Sequence, residues 1–189
     1  MTYPSPVEWH APEPELRQRI LEPISGIQTY ATFNPTQWRV YLLPVAHLSE
    51  SVTIDGIYYH CSGAAGNVIL GLYGQGTVVG DSPQGAPLLG VTATPVVVAA
   101  RNLVLLTAAA DLVIDSGVEI PGWLAVKFDN AGATINGAWA ITLSDVAPCY
   151  YVFAGNAALT LQSPCPAPTI WGYLDGNFPA LEARVSAII

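Results

Sequence analysis

Charge is what this chain has least of. Only 11% of its 189 residues are Asp, Glu, Lys or Arg, where ordinary soluble domains carry roughly 25%. Lysine occurs once, as Lys127, and the 6 Lys+Arg stand against 14 Asp+Glu, for a net charge of −8. A surface for DNA or RNA needs clustered cations to displace counterions from phosphate, so nucleic acid is excluded as a partner, and so is anionic lipid. Cysteine is scarce too. Cys61, Cys149 and Cys165 are an odd number with no C-x-x-C spacing, which argues against a disulfide framework. Cys149 and Cys165 could close a loop, but free buried thiols are the preferred expectation. No apolar stretch reaches the ~18 uninterrupted residues of a membrane span; the longest, Thr92 to Ala110, is broken by Pro95, Arg101, Asn102 and Thr107. The opening MTYPSPVEWHAPEPE has no basic region followed by an apolar one, so it is not read as a signal peptide.

What the chain does have is apolar material. Hydrophobic residues make up 51% and mean hydropathy is +0.40, which excludes a disordered chain. A folded monomer of 19.9 kDa exposes roughly 8,700 Å². Twenty charged side chains then leave about one per 430 Å². That is sparse for a free monomer, and part of the apolar excess is expected to be covered by neighbouring subunits.

The first 35 residues differ from the rest. Pro4, Pro6, Pro12, Pro14, Pro23 and Pro35 punctuate them, and five charges fall between Glu13 and Glu22. The stretch Glu13 to Leu21 predicts a short helix, with Pro14 in its first turn, acids leading and arginines following. Leu16, Ile20 and Ile24 would share one face. So short a helix does not stand alone, so residues 1–35 read either as a tether or as a docking arm on a partner, with Leu16, Ile20 and Ile24 as its contacts.

From Gln37 onward the period changes to two. Strands are predicted at Trp38 to Pro44, Ser51 to Cys61, Asn67 to Gly74, Thr94 to Ala100, Asn102 to Ala108, Gly122 to Asn130, Ala133 to Leu143, Cys149 to Gly155 and Leu181 to Ile189. In GWLAVKFDN, Leu124, Val126 and Phe128 alternate with Ala125, Lys127 and Asp129, the pattern of a half-buried antiparallel strand. The apolar runs at 68–72 and 96–106 call for cover on both faces, one from a second sheet and the other from a protomer. Short strands at this spacing indicate an all-β, antiparallel, jelly-roll-like β-sandwich over residues 36–189, carried by the Pro-rich N-terminal arm with its short helix.

Catalytic chemistry finds little support. His60 and Cys61 are adjacent and point to opposite faces of a strand, so no metal site and no cofactor are expected. Gly80-Asp81-Ser82 has the form of an esterase nucleophile block, but His10, His47 and His60 all lie upstream and no downstream base follows. Asp111 and Asp115, four apart on a strand, would sit about 13 Å from one another, too far for a glycosidase pair. No enzymatic activity is expected. Aromatics are the best remaining material. In TIWGYLDGN, Trp171, Tyr173 and Asp175 occupy alternate positions, so an extended chain presents two rings and a carboxylate on one side, a patch suited to a glycan. A core or subunit-interface strand would show the same alternation.

Val52 to Ile57 has the form V-T-x-D-x-I, and Ala64-Ala65-Gly66 leads into a strand ending Gly71-Leu72-Tyr73. Pro121-Gly122-Trp123-Leu124-Ala125 follows later. In this order the motifs resemble the β-sandwich domains of phage tail fibres, head fibres and related virion appendages, over roughly residues 38 to 143. Leu72 replaces the usual Ile, Leu70 stands where a polar residue or Arg is common, and Leu124 takes an aromatic position. The C-terminal 45 residues match nothing in that pattern. The resemblance implies a structural virion protein, trimeric or otherwise multimeric, that partners itself and other virion proteins. The alternative it implies is a fibre module binding a host-surface glycan.

Overall fold

The computed structural model describes residues 19–21, 28–45, 48, 50–77, 82–115, 120–139, 149–155, 157–172 and 178–189. Among them every regular element is a strand: β1 (Arg19–Leu21), β2 (Gln28–Phe33), β3 (Arg39–Val45), β4 (Val52–Gly63), β5 (Val68–Tyr73), β6 (Leu88–Val91), β7 (Arg101–Leu112), β8 (Gly122–Phe128), β9 (Thr134–Trp139), β10 (Cys149–Phe153), β11 (Thr169–Gly172), β12 (Phe178–Pro179) and β13 (Leu181–Ile188). All named pairings are antiparallel and form two sheets. The first runs β1-β13-β4-β9-β12, with β7 on β4 and β2 on β9; the second runs β11-β10-β3-β8-β5-β6. The expected all-β architecture of two packed antiparallel sheets is what the chain forms.

The twelve-residue β4 organises the first sheet. Its residues Val52 to Tyr59 lie between β7 and β13, and Cys61 and Gly63 then pair with β9. Between the sheets, Ile54, Ile57 and Tyr59 of β4 meet Leu70 and Leu72 of β5 and Leu124, Val126 and Phe128 of β8 in one core. This is the alternation of the sequence, obeyed. Tyr59 and Phe128 meet edge to face, ring centroids 6.3 Å apart, the arrangement aromatic quadrupoles favour.

The other face of the second sheet is where expectation and structure part. β8 is not half-buried; all seven of its residues are buried. A second core of Leu42, Trp123, Ala125, Tyr150, Val152 and Cys165 fills its far side, with Leu161 packed against it. The cover comes from the chain itself. Residues 157–168, without regular structure, lie across the sheet as a strap. The Tyr73 hydroxyl donates to the Gln162 carbonyl at 2.7 Å, Leu88 N–H to Ser163 Oγ at 3.1 Å and Lys127 Nζ to the Ala158 carbonyl. Backbone bonds between Cys165 and the 85–86 turn complete the attachment. A protomer is therefore not needed over 68–72. The run at 96–106 is corrected in the opposite direction: Val96, Val98 and Leu105 are exposed.

Three further expectations change. Arg19–Leu21, the end of the helix expected over 13–21, pairs instead with β13, Ile20 opposite Arg184; an edge ladder bonds the backbone of three residues that so short a helix could not hold. Residues 13–18 lie outside the described residues. Both β1 and β2 fall inside the segment read as an arm and pair within the chain's own first sheet. Finally, 94–100 is no strand: one bridge joins Val96 to Asn67, Pro95 brings no N–H to a ladder, and Val97 turns into the core. β6 forms at Leu88–Val91, where no strand is predicted.

Gly71 of β5 marks how closely the strap sits, since a Cβ there would collide with Leu161 Cδ1 and press on Leu88. Gly71→Val is expected to lift the strap and cost about 1–3 kcal/mol. Urea unfolding checks this; an unchanged midpoint would mean that the strap contributes little.

Candidate functional site

The sequence-predicted residues are not brought together within the described structure. Trp171 lies in β11, whose neighbours Ile170 and Gly172 pair with Tyr150 and Cys149. Tyr173 and Asp175 lie outside the described residues, as do Leu16 and Ile24. Ile20 sits in β1 at the edge of the first sheet. Ser82 is a loop residue whose Oγ accepts the Gln84 N–H at 3.3 Å. Asp111 accepts a 2.8 Å bond from the Thr53 hydroxyl, and Asp115 lies exposed beyond the end of β7.

The polar chemistry that the fold does assemble is on the outward face of the first sheet. Because Ile57, Tyr59 and Cys61 point into the core, Tyr58 and His60 point out. The pairing sets His60 opposite Arg101, Tyr58 opposite Leu103 and Gly56 opposite Leu105 on β7. On the other flank Glu182 lies opposite Tyr58 and Arg184 opposite Gly56. The result is a three-strand array of side chains with Tyr58 in its middle.

Its charges are closely matched. His60 Nε2 is 2.5 Å from Glu182 Oε1, and Arg101 Nη2 is 2.5 Å from Oε2. Burial alone would raise the Glu182 carboxyl, but the hydrogen bonds from His60 and Arg101 outweigh it and hold the group at about 2. An ionised carboxylate only accepts, so His60 carries its proton on Nε2. The Arg101 guanidinium carbon also lies 3.7 Å from the Tyr58 ring centroid, a cation–π contact. Beside this cluster, Arg184 grips Asp55 with both arms, Nε to Oδ1 at 2.6 Å and Nη2 to Oδ2 at 2.7 Å, the bidentate geometry that makes Arg–carboxylate pairs strong. Sequence reading missed this array. Its signal was the shared parity of Glu182 with Arg184 and of Tyr58 with His60; which strands lay beside which was not in it.

Elsewhere, the arrangement offers little for catalysis. Burial pushes the Cys61 thiol up to about 12 and the Cys165 thiol up to about 11, which leaves both as unreactive thiols rather than nucleophiles. Both are free and buried, as expected for them; Cys165 is therefore not bridged to Cys149. Burial likewise pulls the Lys127 ammonium below the usual lysine range. A cavity of about 50 Å³ lies under the strap, lined by Leu42, Val152, Cys165 and Gln162 among others. That is room for roughly three or four waters, not for a metabolite. Among the described residues no group of His, Cys, Asp or Glu is placed to hold a metal, and no helix is long and apolar enough to cross a membrane.

Compared with protein-family models, with curated proteins and with solved structures, the chain matches none.

Two outcomes are expected. Glu182 titrates lower folded than unfolded, so its contribution is present above pH 4.5, the ordinary carboxyl value, and is lost as pH falls through about 2. Glu182→Gln should cost about 1–3 kcal/mol at neutral pH, reduced from the full buried-pair value because Arg101 is partly solvated. It should also flatten the decline of stability between pH 4.5 and 2; urea titrations across that range test both. In alkylation mapped by mass spectrometry at pH 8, Cys61 and Cys165 should stay unlabelled in the native chain and label in denaturant. Native labelling of either would contradict its burial.

Proposed function

We propose that the chain is a non-catalytic structural subunit of a phage particle: a jelly-roll-like sandwich attached through its N-terminal segment and assembled with further copies of itself and other virion proteins. The observation that carries the reading is apolar side chains left in solvent by a domain that buries most of its others. Val96, Val98, Leu105, Val113 and Phe153 are each more than half exposed, while charge is scarce throughout. Large exposed aliphatic surface supports interaction with another protein. The resemblance of Val52 to Ala125 to virion appendage domains supplies the setting. With β1 and β2 paired inside the sheet, this reading takes residues 1–18 as the attachment segment in place of 1–35.

The test is particle association. In lysates of infected cells the chain should co-sediment with purified particles at a fixed copy number. A chain lacking residues 1–18 should keep its β-sheet circular dichroism and lose that co-sedimentation. Full-length chain that stays in the supernatant while particles pellet overturns the virion reading. Full retention by the truncated chain removes the attachment role.

A further inference from the structure

The strap over the second sheet is a loop whose ends are already tied together. It leaves β10 and returns as β11, and those two strands pair with one another, Tyr151 opposite Thr169. The base is fixed further where the Ala154 N–H donates to the Trp38 carbonyl at 2.7 Å. A loop closed at its own base can lift without breaking a ladder. We propose that residues 157–168 are a hinged cover that opens off the second sheet as one unit while both sheets stay folded. Gly155 stands at the hinge, in the left-handed region at φ 70°. No atom lies within 4 Å of the place a Cβ would take there, so the chain has room to turn.

Little of the strap is itself packed. Within residues 157–168 Cys165 alone is buried; Leu161 rests half-buried on the second core, and Thr160, Gln162, Ser163 and Ala167 are exposed. The packing it does make is incomplete. The cavity of about 50 Å³ lies between Thr160, Gln162, Cys165 and Pro166 of the strap and Leu42 and Val152 of the sheet, and atoms lining a void lack contacts on that side. The fastenings are the bonds from Tyr73, Leu88 and Lys127 and a pair at Cys165. Its carbonyl accepts the Gly85 N–H at 2.9 Å, and its own N–H donates to the Ala86 carbonyl at 2.8 Å. None of these belongs to a sheet ladder, so water can replace each when the strap lifts. Against opening stands the apolar face beneath, with Leu42, Trp123, Ala125 and Val152, whose exposure keeps the open state a minor one. Cys61 differs, because it lies in the core between the sheets and is reached only when they part. The strap therefore releases a covered apolar face and one thiol from an otherwise intact sandwich.

Site-resolved alkylation of the full chain in urea reads the outcome, each thiol's rate being divided by its rate in the fully denatured chain. Below the global midpoint, where circular dichroism is still that of the folded chain, Cys165 should label at least about tenfold faster than Cys61. Its rate should also depend less steeply on urea, because lifting the strap exposes less surface than unfolding does. Ile54→Val, in the core between the sheets, separates the two events. The shortened side chain destabilises the folded sheets equally with the strap open or shut. Cys61 should therefore label about two- to tenfold faster in this variant, and Cys165 as in wild type. Coincident rates and urea slopes for the two thiols, or equal acceleration of both by Ile54→Val, mean that strap and sheets open only together and overturn the proposal.

Discussion

Everything in the second sheet depends on covering two apolar faces at once. β8 and β5 are buried on both sides, and a strand in that position is stable only between two layers. The first layer is the other sheet. The second is a stretch without regular structure, which has to satisfy its own peptide groups while it lies on a greasy surface. Residues 157–168 manage this by bonding to groups that the sheet and its turns offer upward: the Tyr73 hydroxyl, the Gly85 and Leu88 amides, the Ala86 carbonyl and the Lys127 ammonium. The only lysine of the chain is used here and not on the surface. An ammonium under the strap is costly to desolvate, and burial accordingly lowers its pKa. The Ala158 carbonyl compensates where a hydroxyl or water otherwise would.

Parity made most of the framework legible. β3, β4, β5, β8, β10 and β13 fall where period-two or continuously apolar runs sit in the sequence, because a strand of a sandwich must place alternate residues in the core. The alternation of Leu124, Val126 and Phe128 was read correctly, and its complement was misread. Lys127 and Asp129 looked like a solvent face because a lysine on a strand usually is one. Only the strap, whose Pro164, Pro166 and Pro168 give no periodic signal, reverses that. The misreading of 94–100 has a similar source: three consecutive valines suit a strand, but Pro95 and the inward turn at Val97 leave Val96 and Val98 outside any ladder.

The array on the first sheet was illegible for a different reason. His60 and Glu182 are 122 residues apart and Arg101 and Glu182 81 apart, so their meeting is decided by strand order, which a single sequence does not state. The residues singled out for a glycan, Trp171, Tyr173 and Asp175, were chosen on local alternation alone. Local pattern finds which residues share a face. It does not find which faces share a neighbour.

The strap and the array together alter the meaning of the composition. Scarce charge and abundant apolar residues suggested a chain that needs neighbouring subunits over part of its surface, yet the strap already covers the outer side of β5 and β8. Among the described residues the remaining apolar exposure is scattered, at Leu105, at Val96 and Val98 before β7, at Val113 after it, and at Phe153 and Ile189. On the outward face of the first sheet four charges are spent on one another, Arg101 with Glu182 and Arg184 with Asp55, while Asp111 accepts from the Thr53 hydroxyl. A general solubilising surface would spread its ions and leave them hydrated. Closing them into pairs makes them part of the sheet itself: Glu182 stays ionised on a mostly buried strand because His60 and Arg101 face it, so on this face the few charges hold strands together more than they hydrate a surface.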